Sequence, residues 1–220
     1  MEAYFFKVRQ NWRNALYHKA FRTSLIFGFV MLVALFVFTY FYFDYIEHLP
    51  NGTVLNDWVL RKLPAKDVSA PIVFLEASVF ILLFVRSSAN PVMFLTFLIS
   101  SILVFATRDI TIGITLLRAP MGIIELKDPI SDVVYRSGFI ERDLFYSGHV
   151  SLLFLIYLCL YKKPDKYYTL FAVISVGLLI LIQHVHYTVD VISAPFFSLV
   201  CFWAAKRILR FQHIKYIYNA

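Results

Sequence analysis

Charged residues are scarce in this chain: they fill 16% of its 220 positions, while hydrophobic residues fill 60%. A soluble domain carries roughly 25% charge, so a water-exposed globular fold is excluded and a polytopic helical membrane protein is expected. Cysteine is nearly absent. Cys159 and Cys201 both stand inside apolar stretches and far apart, which argues against a disulfide framework and against the paired spacing of a metal site. Internal repeats, low-complexity tracts and a separable soluble segment are also missing, so a single domain is expected. Acids are fewer than bases, 14 against 21, giving a net charge of +7. The excess base sits in short segments beside apolar stretches. There it reads as a topology signal next to anionic lipid, and no nucleic-acid partner is expected.

What the chain has in abundance is long apolar runs. Lys7, Arg9, Arg13, Lys19 and Arg22 precede a run from Ser24 to about Ile46. That run is too long for a signal peptide and lacks a small-residue cleavage site, so it reads as a retained membrane helix. Five further apolar segments follow, at about Ala70–Val85, Pro91–Leu117, Gly148–Tyr161, Tyr167–His184 and Tyr187–Ile208. A span takes ~20 apolar residues; the second and fourth are short of that. Basic residues flank the runs at the N-terminal arm, Arg86, Lys162-Lys163-Lys166 and Lys206-Arg207-Arg210-Lys215. Six spans would put all of these on one side, with both termini cytoplasmic. The expected fold class is therefore all-α and polytopic, with six transmembrane helices. Residues 1–23 form a basic arm, 24–209 a six-helix membrane domain and 210–220 a cytoplasmic tail.

The same topology gathers the remaining polar groups on the outer face: Arg108 near the end of the third run, His149 at the start of the fourth, and His186 and Asp190 between the fifth and sixth. Ionisable residues at membrane depth are costly and are usually functional. On a helix His186 and Asp190 are four apart and share a face. A carboxylate on one imidazole nitrogen orients the other as nucleophile or base, although a buried histidine merely satisfied by an aspartate has the same pattern. Ser147-Gly148-His149 adds a hydroxyl, a backbone open to close approach, and a second histidine at a helix start, where an anion is favoured. Asp143 reads either as a partner within such a site or as a helix N-cap. Glu76 reads as a polar group in an acceptor pocket or as a packing carboxyl. His184, two residues from His186, points to another face and reads as a bystander. The abundant tyrosines, Tyr146 and Tyr187 included, read as packing and interfacial residues. No metal and no cofactor are expected, because the histidines and Asp190 are accounted for without one.

Two segments, Asp143-Leu-Phe-Tyr-Ser-Gly-His149 and His184-Val-His-Tyr-Thr-Val-Asp-Val191, resemble the signature motifs of the sphingomyelin synthase family, a branch of the lipid phosphate phosphatase superfamily. Arg108-Asp-Ile-Thr111-Ile-Gly-Ile-Thr115-Leu-Leu-Arg118-Ala-Pro120 is similar to a third motif, with Ile112 in place of Met and an inserted Arg118-Ala119. Glu76 sits where the family carries an intramembrane glutamate. The likeness runs roughly from Pro64 to Leu209. Departures accompany it. The classical phosphatases carry K-x6-R-P, which is missing, and an arginine where this chain has Ile180. The synthase cysteine ahead of S-G-H is absent too, Arg142 replaces a glycine, and the first outer motif is reduced to Leu63-Pro64-Ala65-Lys66-Asp67.

The resemblance implies a phosphotransferase. His186 would attack phosphorus, Asp190 would orient it, and His149 would serve the leaving and incoming oxygens. Arg108, with Arg118 second, and Ser147 and Gly148 would hold the phosphate; Glu76 and Asp143 would support. The implied partners are membrane lipids: a glycerophospholipid donor of phosphocholine, phosphoethanolamine or a relative, ceramide or a similar alcohol as acceptor, and diacylglycerol as product. The intermediate would be a phosphohistidine. A lipid phosphatase or phospholipase C-type hydrolase using the same residues is the alternative, and a non-catalytic membrane scaffold the lesser one. The site is expected on the exoplasmic or periplasmic face, and a compact bacterial inner-membrane protein is expected.

Overall fold

The computed structural model describes residues 2–127 and 140–211. The middle of the 118–146 connection and nearly all of the expected 210–220 tail, Lys215 included, lie outside the described residues. Among these residues the chain forms seven α-helices: α1 (Glu2–Tyr17), α2 (Lys19–Glu47), α3 (Ser69–Ser88), α4 (Pro91–Thr115), α5 (Gly148–Cys159), α6 (Lys163–Ile182) and α7 (Thr188–Phe211). Local chemistry marks the boundaries. The Asn90 side chain accepts from the Met93 amide, and Pro91 follows at the first helical position, where its missing N–H costs nothing. Leu116 closes α4 in the left-handed region, at φ 42°, with its amide returned to the Ile112 carbonyl, a common helix stop. The basic arm is itself mostly helix, and an extended residue, His18, separates it from α2.

Five helices, α2, α3, α4, α6 and α7, are long and apolar enough to cross a membrane, and the chain is an integral membrane protein. The expected six spans are thereby corrected to five. The fourth expected span is the twelve-residue helix α5, only ~18 Å long at 1.5 Å per residue against a hydrocarbon core of ~30 Å. Placing both termini on one face relied on an even number of full spans, and this count no longer supplies it.

Helix α5 is short because the chain ahead of it is already inside the bundle. The Arg142 guanidinium donates to the carbonyls of Leu49 and Asn51 just beyond α2. Leu144 packs with Leu117 and Tyr187. The Phe145 carbonyl accepts from Thr111 and the Tyr146 carbonyl from Arg108, while the Tyr146 hydroxyl reaches the Val104 carbonyl. These contacts step back along α4 from its C-terminal end, so residues 142–147 descend beside that helix without being helical. Such backbone survives at membrane depth only where protein satisfies it. The Tyr146 ring, fully buried, also stacks on Phe197 of α7 at 4.4 Å.

Helix α5 then occupies the centre of the molecule. Leu153, Leu155 and Ile156 are fully buried, and α3, α4, α6 and α7 pack around it. A helix apolar on every side belongs in such a position. The lipid-facing surfaces are carried by the surrounding helices, with Phe27, Phe84, Ile174 and Trp203 exposed. At one end of the bundle Arg86 makes a two-point ion pair with Asp165 (2.7 and 2.9 Å), Lys166 caps α5 through the Tyr157 and Leu160 carbonyls, and α1 docks through Trp12 on the Ser88 carbonyl. The histidine motifs lie at the opposite end.

Truncating the central helix should be far more costly than truncating the lipid face. Leu155→Ala is expected to lose about 2–5 kcal/mol, whereas Ile174→Ala should stay within about 0.5 kcal/mol; reversible unfolding in mixed micelles would compare them.

Candidate active site

Three non-adjacent pieces of chain meet at the site: the third-last turn region of α4, the start of α5, and the turn entering α7. Arg108 is buried on α4, at 4% exposure. Its Nε donates to the Tyr146 carbonyl at 2.9 Å, and its Nη2 pairs with the Asp143 carboxylate. The guanidinium lies directly over Gly148. A Cβ added there would stand 2.8 Å from Nη1 and 2.9 Å from Cζ, so the glycine is required by close approach rather than by backbone freedom. Ser147 is the N-cap of α5; its Oγ accepts from the Val150 amide and its carbonyl from the Ser151 hydroxyl. Its own amide crosses to the Asp190 carbonyl at 3.1 Å. That single bond joins the S-G-H segment to the H-x-x-x-D segment. His149, half-buried, occupies the first turn of α5 beside this junction.

Asp190, in the first turn of α7, is completely buried, and His186, in the turn ahead of that helix, is 2% exposed. The Asp190 Oδ2 faces His186 Nδ1 at 3.3 Å and accepts the Tyr187 amide at 3.0 Å. Its Oδ1 has no hydrogen-bond partner among the described residues. The carboxylate thus fixes both the imidazole and the first free amide of the helix. A neutral ring donating from Nδ1 presents Nε2 as a lone pair.

The other expected residues fall at different places. Asp143 is not the cap of α5 but the ion-pair partner of Arg108. Glu76 is buried two turns into α3. Arg118 is exposed; its guanidinium donates to the Pro50 carbonyl and its own carbonyl accepts from the Tyr187 hydroxyl. His184 is buried and lies at φ 58°, with Nδ1 and Nε2 each 3.0 Å from a carbonyl, those of Met121 and Leu63. It therefore ties together the connections that follow α2 and α4, and its partners differ from those of His186. Phe145, at φ 54°, flanks the first motif as His184 flanks the second. Non-glycine residues in this region cost of order 1–3 kcal/mol and gather at functional sites.

Two residues of the site carry no recognisable signal in the sequence. Gln183 is fully buried: its Nε2 donates to Ser69 Oγ and the Glu125 carbonyl, and its Oε1 accepts from the Val68 amide. Asp57, in the connection between α2 and α3, accepts from the amide and hydroxyl of Thr188 at 2.6 and 3.0 Å. Burial alone would push the Asp57 carboxyl up, but the amides of Thr188, Leu60 and Val59 and the Thr188 hydroxyl outweigh it and hold it below the ordinary aspartate range. Asp57 is revealed by the approach of its loop to α7, and Gln183 by the approach of the start of α3 and of Glu125.

The arrangement provides two histidines, an orienting carboxylate, a buried cation and the free amides of a helix start, which is the equipment of phosphoryl transfer to and from an imidazole. A comparison with known families agrees at the coarse level. The profile described as PAP2 superfamily C-terminal matches residues 142–207, a stretch containing both histidine motifs and leaving Arg108 and Glu76 outside. Among curated proteins none matches this chain. Over residues 142–207 the chain is similar to the C-terminal part of the PAP2 superfamily, and the PAP2-like motif supports a phosphatase- or transferase-type activity.

Proposed function

We propose that this chain is a membrane-embedded PAP2-type enzyme that breaks a phosphoric ester bond of a lipid through His186. The observation that carries the proposal is the Ser147–Asp190 bond, which seats the S-G-H helix start against the His186–Asp190 pair within the PAP2-like region. In the proposed reaction His186 Nε2 attacks phosphorus while the ester P–O bond breaks. His149 gives its proton to the departing lipid oxygen. The imidazole proton on Nδ1 stays hydrogen-bonded to Asp190, which steadies the positive ring of the phosphohistidine. Arg108 and the amides near Gly148 balance charge on the equatorial oxygens. His149 then takes a proton from the incoming hydroxyl, a P–O bond forms, the P–N bond breaks, and His186 is restored.

With water as acceptor the enzyme is a lipid phosphatase or phospholipase C-type hydrolase, and the family match favours this reading. Transfer to ceramide or another lipid alcohol is the second reading. The observation in its favour is Ile180, fully buried in the core packing of α6, where the classical phosphatases place an arginine. Glu76 and Asp143 support the acceptor and the Arg108 cation respectively in this proposal, and Arg118 stands as a further cation for an approaching head group. The proposed site faces the exoplasmic or periplasmic side.

Two tests follow. Purified protein in micelles, given head-group-labelled phosphatidylcholine, phosphatidylethanolamine or labelled phosphatidic acid, is expected to release label to water or, in the second reading, to pass it to added ceramide. His186→Ala should abolish both, a loss of at least about 10³-fold, and undiminished turnover in that variant would sink the proposal. Gly148→Ala should displace the Arg108 guanidinium and lower turnover on the order of 10²-fold, as loss of one charge-stabilising group does. Its elution on size exclusion should match that of the parent, and an unchanged rate would show that the guanidinium position is immaterial.

A further inference from the structure

The N-terminus of α7 presents consecutive free amides that need acceptors in a place where water is scarce. Asp190 has one carboxylate and two demands on it: the Tyr187 amide at 3.0 Å and the His186 ring at 3.3 Å, both on Oδ2. The next amide along, that of Thr188, points out of the same turn. It does not turn to Asp190. It bonds to Asp57 Oδ2 at 2.6 Å, and the Thr188 hydroxyl bonds to Asp57 Oδ1 at 3.0 Å. Asp57 is itself braced, because Oδ1 also accepts the amides of Val59 and Leu60 at 2.9 and 3.2 Å. Beside it, the Tyr187 hydroxyl donates to the Arg118 carbonyl and accepts from the Leu55 amide. The connection between α2 and α3 thus grips Tyr187 and Thr188, two of the three residues that lie between His186 and Asp190.

We propose that Asp57 is a positioning residue for the His186–Asp190 pair, taking the Thr188 amide so that the Asp190 carboxylate stays committed to the imidazole. The inference rests on the proposed role of His186. Without Asp57, the Thr188 amide is orphaned one residue from the amide that Asp190 already holds, and the Asp190 carboxylate, with one oxygen unpartnered, becomes its acceptor. The carboxylate then rotates away from Nδ1, and the ring loses its fixed tautomer. A negative group at this helix start is also favoured by the helix dipole, which an uncharged replacement would forgo.

A proline supplies the decisive variant. Thr188 is the first residue of α7, a position where proline is well accommodated and which it strips of its N–H. If Asp57 acts by occupying that N–H, then Thr188→Pro removes the need for Asp57. Lipid-ester turnover is compared in the full-length parent, Asp57→Ala, Thr188→Pro and the double variant, with phosphatidic acid and phosphatidylcholine as probes. Asp57→Ala is expected to lower kcat about 10- to 100-fold with KM within about twofold, as loss of an orienting partner does. In the Thr188→Pro background the same change should alter kcat by less than about threefold, the signature of a coupled pair. An unchanged kcat in Asp57→Ala, or an equal loss in both backgrounds, would overturn the proposal, as would a fall in folded yield with unaltered kcat in what remains. A second readout does not depend on turnover. The 15N signals of the His186 ring are expected to show a fixed Nδ1–H tautomer in the parent and mixed tautomers in Asp57→Ala. If the parent hydrolyses and transfers nothing, the enzymatic reading fails by itself, and these signals still decide the role of Asp57; identical spectra would refute it.

Discussion

Backbone that leaves a helix inside an apolar bundle must find its hydrogen bonds in protein, and this constraint organises the site end of the molecule. Two such segments exist, residues 142–147 and 183–187. Each is stitched to its neighbours nearly residue by residue: Arg142 to the chain just beyond α2, Phe145 and Tyr146 to α4, Gln183 to α3 and Glu125, His184 to Leu63 and Met121, and Tyr187 to Leu55 and Arg118. The first segment then meets the first turn of α7, which follows the second, through Ser147 and Asp190. The polar groups proposed for chemistry lie on or directly beside these stitched segments. Leaving any of them unpaired in this setting would cost several kcal/mol, so the bonds that satisfy the backbone also hold the site to one geometry.

The two ends of the bundle divide the labour. At the Arg86–Asp165 end the connections are a few residues long, α3 passing to α4 through Ala89 and Asn90 and α5 to α6 through residues 160–162. Little chain is available there to build anything but a turn. At the other end the connections after α2 and α4 are long and polar, and long loops on a rigid scaffold are where binding residues concentrate. The residues 48–68 run across the start of α7, contributing Leu55, Asp57, Leu63 and Lys66 as bonding partners to residues 182–188. The strap and the motif are bonded as one unit, so a loop that carries none of the proposed catalytic groups is tied directly to the segment that carries His186 and Asp190.

The two histidine motifs, their i, i+4 spacing and their placement at helix starts were legible in the sequence because they are local. A helix start and an i, i+4 pair depend on residues a few positions apart. The all-α membrane class was legible for a similar reason, since apolar runs are counted along the chain. The number of spans was not, because hydropathy records how apolar a segment is and not how deep it begins. Gly148–Tyr161 is as apolar as its neighbours, yet its helix starts inside the bundle after Tyr146 has been drawn down to Val104. His184 was read as a bystander since it shares no face with His186. That geometry is right, but its two carbonyl partners, Leu63 and Met121, lie 121 and 63 residues away. Asp57 and Gln183 were invisible on the same ground: a lone aspartate in a loop and a glutamine at a helix end have no pattern until distant chain, α7 for one and the start of α3 and Glu125 for the other, is laid against them.

The pairing of Arg108 shows how such non-local contacts settle energetics as well as position. A guanidinium at 4% exposure in an apolar bundle is unaffordable alone, and it is not alone: Asp143 neutralises it and the Tyr146 carbonyl takes Nε. Both of these partners belong to the segment leading into α5, so placing that segment and pairing the cation go together. A side chain at residue 148 would press on that guanidinium and force it to shift. Placement of residues 142–147, burial of the cation and the glycine of S-G-H are therefore linked. A substitution at any of the three acts on the other two, which is the physical reason a three-residue motif has consequences for an arginine forty positions earlier.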